Sequence, residues 1–435
     1  MRRVIASVYR YFAESGRLTV RSWNTFWFTP ADPTPLGFIR ILTGIMLVYT
    51  HAVWGLELEA FFGPNGWLPA EAVHALQSDQ TVFSYWWWVP TNWMWFAHGV
   101  ALAVLVLFTI GCCTRITSVL AFIITISYAN RVPAALFGLD QINAMLTLYL
   151  AIGPSGAALS VDRLLARFRL TRQSLHADAQ QPRFELLPSP SANLATRLIQ
   201  VHMCVIYLFA GVSKLQGTAW WSGEAMWLTF ANLEYQSRDM TWLAHYPWLL
   251  HLMTHVTIVW EISFCALIWR PQWRPLMLFI GVLLHVGIGA CLGMWTFALI
   301  MLVGCSSFLP PSLFREIVIA LGGARRLSTI RFDGSPRVER TASWLKAIDV
   351  ADRLALVDYR RPEADSVSDA TQPPTVTGRL EWTTESEAGV VAPTRLTAVL
   401  PILLWPLASI GYLIGAVPPR WRPSRHFKHQ HRAVG

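Results

Sequence analysis

The chain of 435 residues carries a formal net charge of +9, yet only 14% of its residues are charged and 54% are hydrophobic. A soluble domain has about 25% charged residues, so this composition excludes an ordinary soluble protein and predicts a polytopic protein of a lipid bilayer. The basic residues lie between apolar runs and do not alternate with aromatic ones in polar stretches, which argues against nucleic-acid binding.

The N-terminal segment, residues 1–35, carries five arginines and lacks the compact apolar core and small-residue cleavage site of a signal peptide. We expect it to form an amphipathic helix on the inner surface of the membrane. Basic segments of this kind attract anionic lipid.

Eight apolar runs follow, and a membrane-crossing helix needs about 20 such residues. The runs are 36–58, 93–112, 116–134, 141–157, 195–215, 248–269, 275–293 and 295–310. Residues 36–315 are therefore predicted to form an all-α membrane bundle of about eight transmembrane helices.

Arginines in the loops predict the orientation. Five lie in the N-terminal segment, none in the loop 59–92, and five more between residues 163 and 183. Because cytoplasmic loops are enriched in basic residues, we predict a multi-pass protein of the cell membrane with both termini in the cytoplasm. Arg131, near an outer end, is an exception to this pattern.

The chain becomes polar after Pro311, and residues 316–435 form a second predicted domain. Leu327–Phe332 and Leu354–Val357 have the pattern of strands, and Pro336–Ile348 between them has that of a helix, which predicts a βαβ unit.

A late apolar run, Leu396–Val417, is open to two interpretations. As a ninth span it would place the basic C-terminal tail outside the cell, and Pro401 and Pro406 interrupt it. Docking on the polar domain, or lying in the inner interface, is the favoured alternative.

Lys214 ends the fifth apolar run and is the most informative polar residue. Its stem could lie along the apolar surface while the ammonium reaches the interface. Alternatively, a desolvated lysine could act as a base. Tyr207 lies seven residues earlier on the same helical face. Both interpretations stay open from the residues alone.

Two further polar residues lie inside apolar runs. His285 is followed by Gly289 and Gly293 at four-residue steps, and a face of small residues lets a helix or a flat ligand approach closely. A structural hydrogen bond to a neighbouring helix is the simpler role for this histidine. Glu261 needs a partner: it pairs with Lys214 or with an arginine, or stays protonated.

No metal site or disulfide framework is predicted. His251 and His255 have the i, i+4 spacing of two ligands but no dependable third, and the six cysteines show no C-x-x-C spacing.

Several motifs together resemble a known family. The run Ala210–Leu215 with Trp221 and Gly223, followed by His285 and Gly293-Met294, resembles the membrane domain of vitamin K-dependent γ-glutamyl carboxylase. That domain belongs to the horizontally transferred transmembrane (HTTM) family. Phe62–Gly66 and Ser160–Asp162 match at corresponding points, and the resemblance covers about residues 34–310.

The resemblance implies a chemistry and a set of site residues. Lys214 would be the base that deprotonates a reduced vitamin K-type naphthoquinone, with His285 in support. In the carboxylase, oxygenation of the quinone yields a stronger base, which removes a glutamate γ-proton so that carbon dioxide can add. The quinone pocket would be lined by Tyr207, Trp221, Glu261, Gly289 and Gly293.

The resemblance predicts a carboxylase-like carbon–carbon lyase that modifies a peptide. The alternatives are a non-catalytic membrane protein for peptide-toxin maturation or immunity, and a plain quinone or lipid binder. The sequence departs from the carboxylase at Ser213, where the family has a second lysine, and at Asn143-Ala144, where it has a histidine.

The tail resembles a second family. Ile330–Val338, a helix and Leu354–Asp358 are similar to a thioredoxin-like DCC domain, which is found fused to HTTM proteins and normally carries D-G-x-C-P-x-C. Ser335 and Val338 stand where the two cysteines would be. Because thiol chemistry requires the sulfur, this domain is expected to be redox-inactive, with a structural or partner-binding role.

Overall fold

The computed structural model describes residues 1–64, 66–77, 82–177, 184, 186–321, 328–332, 336–348, 354–358, 380–384 and 387–391. The chain divides into two compact units. The first comprises residues 1–158 and 187–311, and the second comprises residues 159–186 and 312–435. The run 396–417 and Ser335 lie outside the described residues.

The described residues contain sixteen α-helices and four strands. In chain order the helices are α1 (Arg2–Phe28), α2 (Thr34–Leu56), α3 (Leu58–Phe62), α4 (Ala70–Leu76), α5 (Met94–Ile110), α6 (Thr114–Arg131), α7 (Gly138–Ile152), α8 (Val161–Ala177), α9 (Pro190–Lys214), α10 (Thr218–Ser222), α11 (Ala225–Phe230), α12 (Pro247–Leu267), α13 (Arg274–Leu292), α14 (Trp295–Cys305), α15 (Pro311–Leu321) and α16 (Pro336–Ile348). The strands are β1 (Ser328–Phe332), β2 (Leu354–Asp358), β3 (Leu380–Thr384) and β4 (Glu387–Val391).

Five helices of the first unit are long and apolar enough to cross a membrane. They are α2, α5 with the turn before it (Thr91–Ile110), α9, α12 and α13. The bent pair Trp295–Phe308 and Pro311–Ile317 would make a sixth if it formed one span. The predicted helical membrane protein is thus confirmed, with fewer candidate spans than the eight expected.

The other three predicted spans correspond to α6, α7 and α14. Helix α7 has 15 residues and α14 has 11, so they are about 22 and 17 Å long, whereas the hydrocarbon core is about 30 Å thick. Helix α6 has 18 residues, but two of them are arginines. The predicted runs were longer because apolar residues continue into the turns that follow these helices. There the pattern of apolar residues no longer marks where the helix ends.

The core of the first unit lies between α2, α5, α6, α7, α9, α12 and α14. Its aliphatic and aromatic side chains are almost fully buried, as at Leu36, Leu105, Leu146 and Phe264. In a bilayer, lipid tails are as apolar as leucine, so close packing and small residues drive helix association. Gly44 shows this: a Cβ added there would lie 2.9 Å from the Thr109 Cα of α5.

Arg131, the exception to the charge pattern, has a structural role. Its side chain is buried, it donates to the Leu68 carbonyl at 2.8 Å and the Phe62 carbonyl at 3.4 Å, and its guanidinium lies 5.6 Å from the Trp87 ring centroid. It therefore ties the end of α6 to the segment that follows α2. An arginine held in this way carries no information about topology.

The second unit contains a mixed four-stranded sheet in the order β2-β1-β3-β4. Strands β1 and β2 are parallel, and β3 is antiparallel to both of its neighbours. The two parallel strands and α16 between them lie within one residue of the predicted bounds. Whether this sheet belongs to a thioredoxin-like domain stays a prediction.

Helix α8 also packs within the second unit. The rings of Phe168 and Trp344 stack at 4.2 Å, and Arg172 Nε lies 3.9 Å from a Glu339 oxygen on α16. Sequence analysis treated this segment as a basic loop of the membrane domain, because its arginines fit the topology rule. Its partner is 160 or more residues away in sequence, so no local pattern could reveal it.

Replacing Gly44 by alanine should separate α2 from α5, because the new Cβ meets the Cα and Cβ of Thr109, which no side-chain rotation can move away. We expect a loss of about 1–3 kcal/mol in the free energy of unfolding, measured by thermal unfolding of the purified protein in detergent. Gly99→Ala is the matched control, since nothing lies within 4 Å of its added Cβ. Equal melting temperatures for the two variants would contradict this close contact.

Candidate functional site

A buried ion pair links α9 to α12. Lys214 Nζ lies 2.9 Å from Glu261 Oε1 and 2.8 Å from Oε2, and the two side chains are 24% and 8% exposed. The ammonium also lies 3.4 Å from the Ala210 carbonyl and 5.4 Å from the Trp220 ring centroid. Of the partners that sequence analysis left open for Glu261, the structure selects Lys214.

The position of this pair along α12 argues against simple snorkelling. Glu261 lies fourteen residues after Pro247, where α12 begins, or about 21 Å along the helix axis. Lys214 ends α9, yet its ammonium meets the interior of α12 and not an end. A lysine that only needed water at the interface would have no reason to bind a buried carboxylate.

Gly211 makes the pair possible. It lies almost one turn before Lys214 on α9, and a Cβ added there would be 2.8 Å from Ile262 Cγ1 and 3.0 Å from Glu261 Cβ. The two helices therefore meet at this level with no side chain of α9 between them. This close approach brings the Lys214 ammonium within 2.9 Å of both carboxylate oxygens of Glu261.

Beyond Lys214, short helices continue along the first half of α12. The Thr254 hydroxyl donates to the Gly223 carbonyl at 2.9 Å and accepts from the Met226 backbone N–H at 3.2 Å. Gly223 has a φ of +85°, and the His251 ring lies where its Cβ would be. The segment containing α10 and α11 is thus fixed against α12 by backbone groups.

Trp220, and not the expected Trp221, is the tryptophan that contacts Lys214. Trp221 donates its indole N–H to the Leu215 carbonyl at 2.7 Å and is 67% exposed. Its neighbour Trp220, which sequence analysis did not single out, is the ring that lies over the ammonium. Adjacent tryptophans in a short helix point in different directions, and the sequence alone does not say which one faces the lysine.

A second buried polar group links α9 to α13 and α14. The Tyr207 hydroxyl lies 2.7 Å from His285 Nε2 and 3.2 Å from Cys305 Sγ, and all three side chains are buried. His285 Nδ1 has no hydrogen-bond partner within the described part of the chain. The structural hydrogen bond expected for His285 is therefore present, and Cys305 is a partner that no sequence signal indicated.

Aromatic rings surround Tyr207. The ring centroids of Trp260 and Phe264 lie 4.8 and 4.6 Å from that of Tyr207. Tyr207 and Lys214 are two turns apart on α9, about 10 Å, with Gly211 between them. One face of α9 thus carries both polar groups, as predicted.

Gly289 and Gly293 have packing roles. Carbons of the Trp295 ring lie within 3.0 Å of a Cβ added to Gly289, so a side chain from α14 takes the space that a flat ligand would need there. Gly293 ends α13 with a φ of +72°, and Ser237 lies beside it. A part for either glycine in a quinone pocket stays a prediction.

Asn143 is a further buried polar residue, at the position where the resemblance would place a histidine. Its side chain is 1% exposed, and neither amide atom has a hydrogen-bond partner among the described residues. Buried amides are nearly always hydrogen-bonded, so this side chain is a candidate contact for a bound molecule.

Comparison with protein-family models, with characterised proteins and with solved structures finds no match to this chain. The HTTM and DCC resemblances therefore rest on the motifs alone.

Replacing Glu261 by glutamine should destabilise the bundle, because it leaves the Lys214 charge without its partner in a largely buried place. Removing one member of such a pair costs about 3 kcal/mol, measurable by thermal unfolding in detergent. Replacing both, as Lys214→Met with Glu261→Leu, leaves no unpaired charge and should restore most of the loss. A double variant as unstable as Glu261→Gln would contradict this account.

Proposed function

We propose that this chain is a membrane enzyme of the HTTM kind that uses a reduced naphthoquinone, with Lys214 and Glu261 as its acid–base pair. The observation that carries the proposal is the Lys214 ammonium, which donates a hydrogen bond to Oε1 of the buried Glu261 and lies 2.8 Å from Oε2, well inside the length of α12. Intramembrane ionisable residues are costly and are a functional-site hypothesis by default.

The pair explains how a lysine could serve as a base in this place. While paired, the ammonium and the carboxylate carry opposite charges, and proton transfer from nitrogen to oxygen leaves the net charge unchanged. Lys214 is then a neutral amine that can accept a proton from an acidic hydroxyl, with Glu261 holding the first proton. No unpaired charge has to form in the apolar interior during this proton transfer.

The residues around the pair are aromatic, as expected of a site for a flat lipophilic substrate. Trp220 lies beside the ammonium, and Trp260 and Phe264 line the interior next to Tyr207. His285 Nε2 is occupied by the Tyr207 hydroxyl, whereas the buried Nδ1 has no partner among the described residues and would be the ring atom free to contact a substrate. When bound, a reduced naphthoquinone would supply the electrons for the reaction with oxygen that the resemblance implies.

We further propose that the second unit is a degenerate thioredoxin-like domain. Its support is the mixed sheet in which β3 runs opposite to the other three strands, which is the strand arrangement of that fold. Val338, at one position where the resemblance places a cysteine, is fully buried beside Ala342 and Leu356. An apolar side chain packed there supports a structural role.

Base catalysis is tested by oxygen-dependent consumption of reduced vitamin K by the protein in lipid. Lys214→Ala should lower turnover at least about a hundredfold. Lys214→Arg is the sharper variant, because arginine keeps the charge for Glu261 but does not give up its proton. We expect it to fold and to be equally inactive, with Gly99→Ala as the active control. An active Lys214→Arg variant would exclude lysine as the base.

If neither wild type nor variants consume the quinol while the fold is intact, the enzyme hypothesis fails for that substrate. Binding of a peptide, measured on the same preparations and unaffected by Lys214→Ala, would then support the non-catalytic alternative.

Tyr207→Phe removes only the hydroxyl that binds His285. If that bond positions the imidazole for the substrate, kcat should fall about tenfold or more. The variant should be less stable, because His285 Nε2 loses its buried partner, but it should stay folded at the assay temperature. Steady-state kinetics on the quinol would measure this. An unchanged kcat would assign the Tyr207–His285 bond to stability alone.

A further inference from the structure

Helix α1 leaves apolar side chains exposed along most of its length. It runs for 27 residues, and it is not among the candidate membrane spans. Apolar side chains along it, including Val4, Val8, Phe12, Leu18 and Trp23, are between 48% and 67% exposed. A soluble surface does not normally present so many large apolar groups on one helix.

Its arginines form a stripe. Arg3, Arg10, Arg17 and Arg21 are all exposed, and at 3.6 residues per turn they fall within about 40° of one another. Val4, Val8 and Phe12 lie on the opposite side of the helix. Glu14, the one acidic residue in α1, lies on the same side of the helix, so the stripe of four arginines and one glutamate has a net charge of +3 over about 27 Å.

The end of α1 is fixed to the bundle. Asn193 of α9 donates its side-chain N–H to the Phe26 carbonyl at 2.7 Å. The Phe26 ring packs against Trp269 at 5.5 Å, and the guanidinium of Arg197 lies 4.7 Å from the Phe26 ring centroid. The C-terminal end of α1 therefore lies at the end of the bundle where α9 begins and α12 ends.

We propose that α1 lies in the membrane plane and that its arginine stripe binds the headgroups of anionic phospholipids. Amphipathic helices with basic polar faces bury their apolar side at the boundary of headgroups and acyl chains. Charge complementarity selects the partner: four aligned guanidinium groups match phosphates with a net negative charge and gain little from zwitterionic headgroups. Arginine is also suited to phosphate, because its planar fork binds two oxygens.

The test is hydrogen–deuterium exchange of the full chain in phosphatidylcholine nanodiscs with and without phosphatidylglycerol. Amides of residues 3–22 should exchange at least about tenfold more slowly in the anionic discs, since each arginine near such a surface changes binding about fivefold. High salt should reverse this difference. Peptides from α9 and α12 should exchange equally in both discs, which reports an intact bundle.

Two variants make the test specific. Replacing the four arginines by glutamine should abolish the lipid dependence, while replacing the same four by lysine, which conserves the charge, should keep it. Equal protection of wild-type α1 in both kinds of disc would overturn the proposal in favour of apolar insertion alone. Rapid exchange in both would also overturn it, and would leave a protein partner as the occupant of this face.

Discussion

The organisation of the first unit depends on the close approach of α9 and α12 at Gly211. Where no side chain separates the two backbones, an ammonium at the end of one helix can reach a carboxylate inside the other. The same contact line places Tyr207 against Trp260 and Phe264, so the polar groups of α9 are surrounded by aromatic rings. A single glycine thus fixes both the geometry of the ion pair and the environment that makes it costly to break.

Helix packing and polar satisfaction are linked throughout this unit. In lipid, a charged group gains nothing from exposure, so a buried polar residue is stabilised where another element offers a partner. Arg131 donates to backbone carbonyls of the segment after α2, and Asn193 donates to a backbone carbonyl of α1. Lys214 forms an ion pair with Glu261. Such bonds, together with buried aromatic side chains, hold the irregular segment after α2 against the bundle.

Sequence periodicity was sufficient for the long helices and insufficient for the short ones. The apolar runs located α2, α9, α12 and α13 closely, but they also extended α7 and α14 into turns, because composition does not change where a helix stops at Gly153 or bends near Pro311. The pairing of Lys214 with Glu261 was one of three open alternatives, since helical faces can be read from sequence but neighbouring helices cannot. Cys305, Trp220 and the packing of α8 on α16 depend on contacts between residues far apart in the chain, and no local pattern reports these.

Because α9 ends at Lys214, the ion pair lies between long helices and a segment of short helices, and these two parts differ in local stability. On one side lie helices of more than 20 residues, and on the other lie α10 and α11, with five and six residues each. Helices that short hold few internal hydrogen bonds and rely on neighbours for their stability. Opening of this segment would break the hydrogen bonds at Thr254 and Leu215 and the apolar contacts of the cluster around Phe230, Leu243 and Leu250, while the bundle beneath stays folded. A lipophilic molecule could then reach Lys214 through a subglobal fluctuation, at a rate set by the short helices and not by the protein's overall stability.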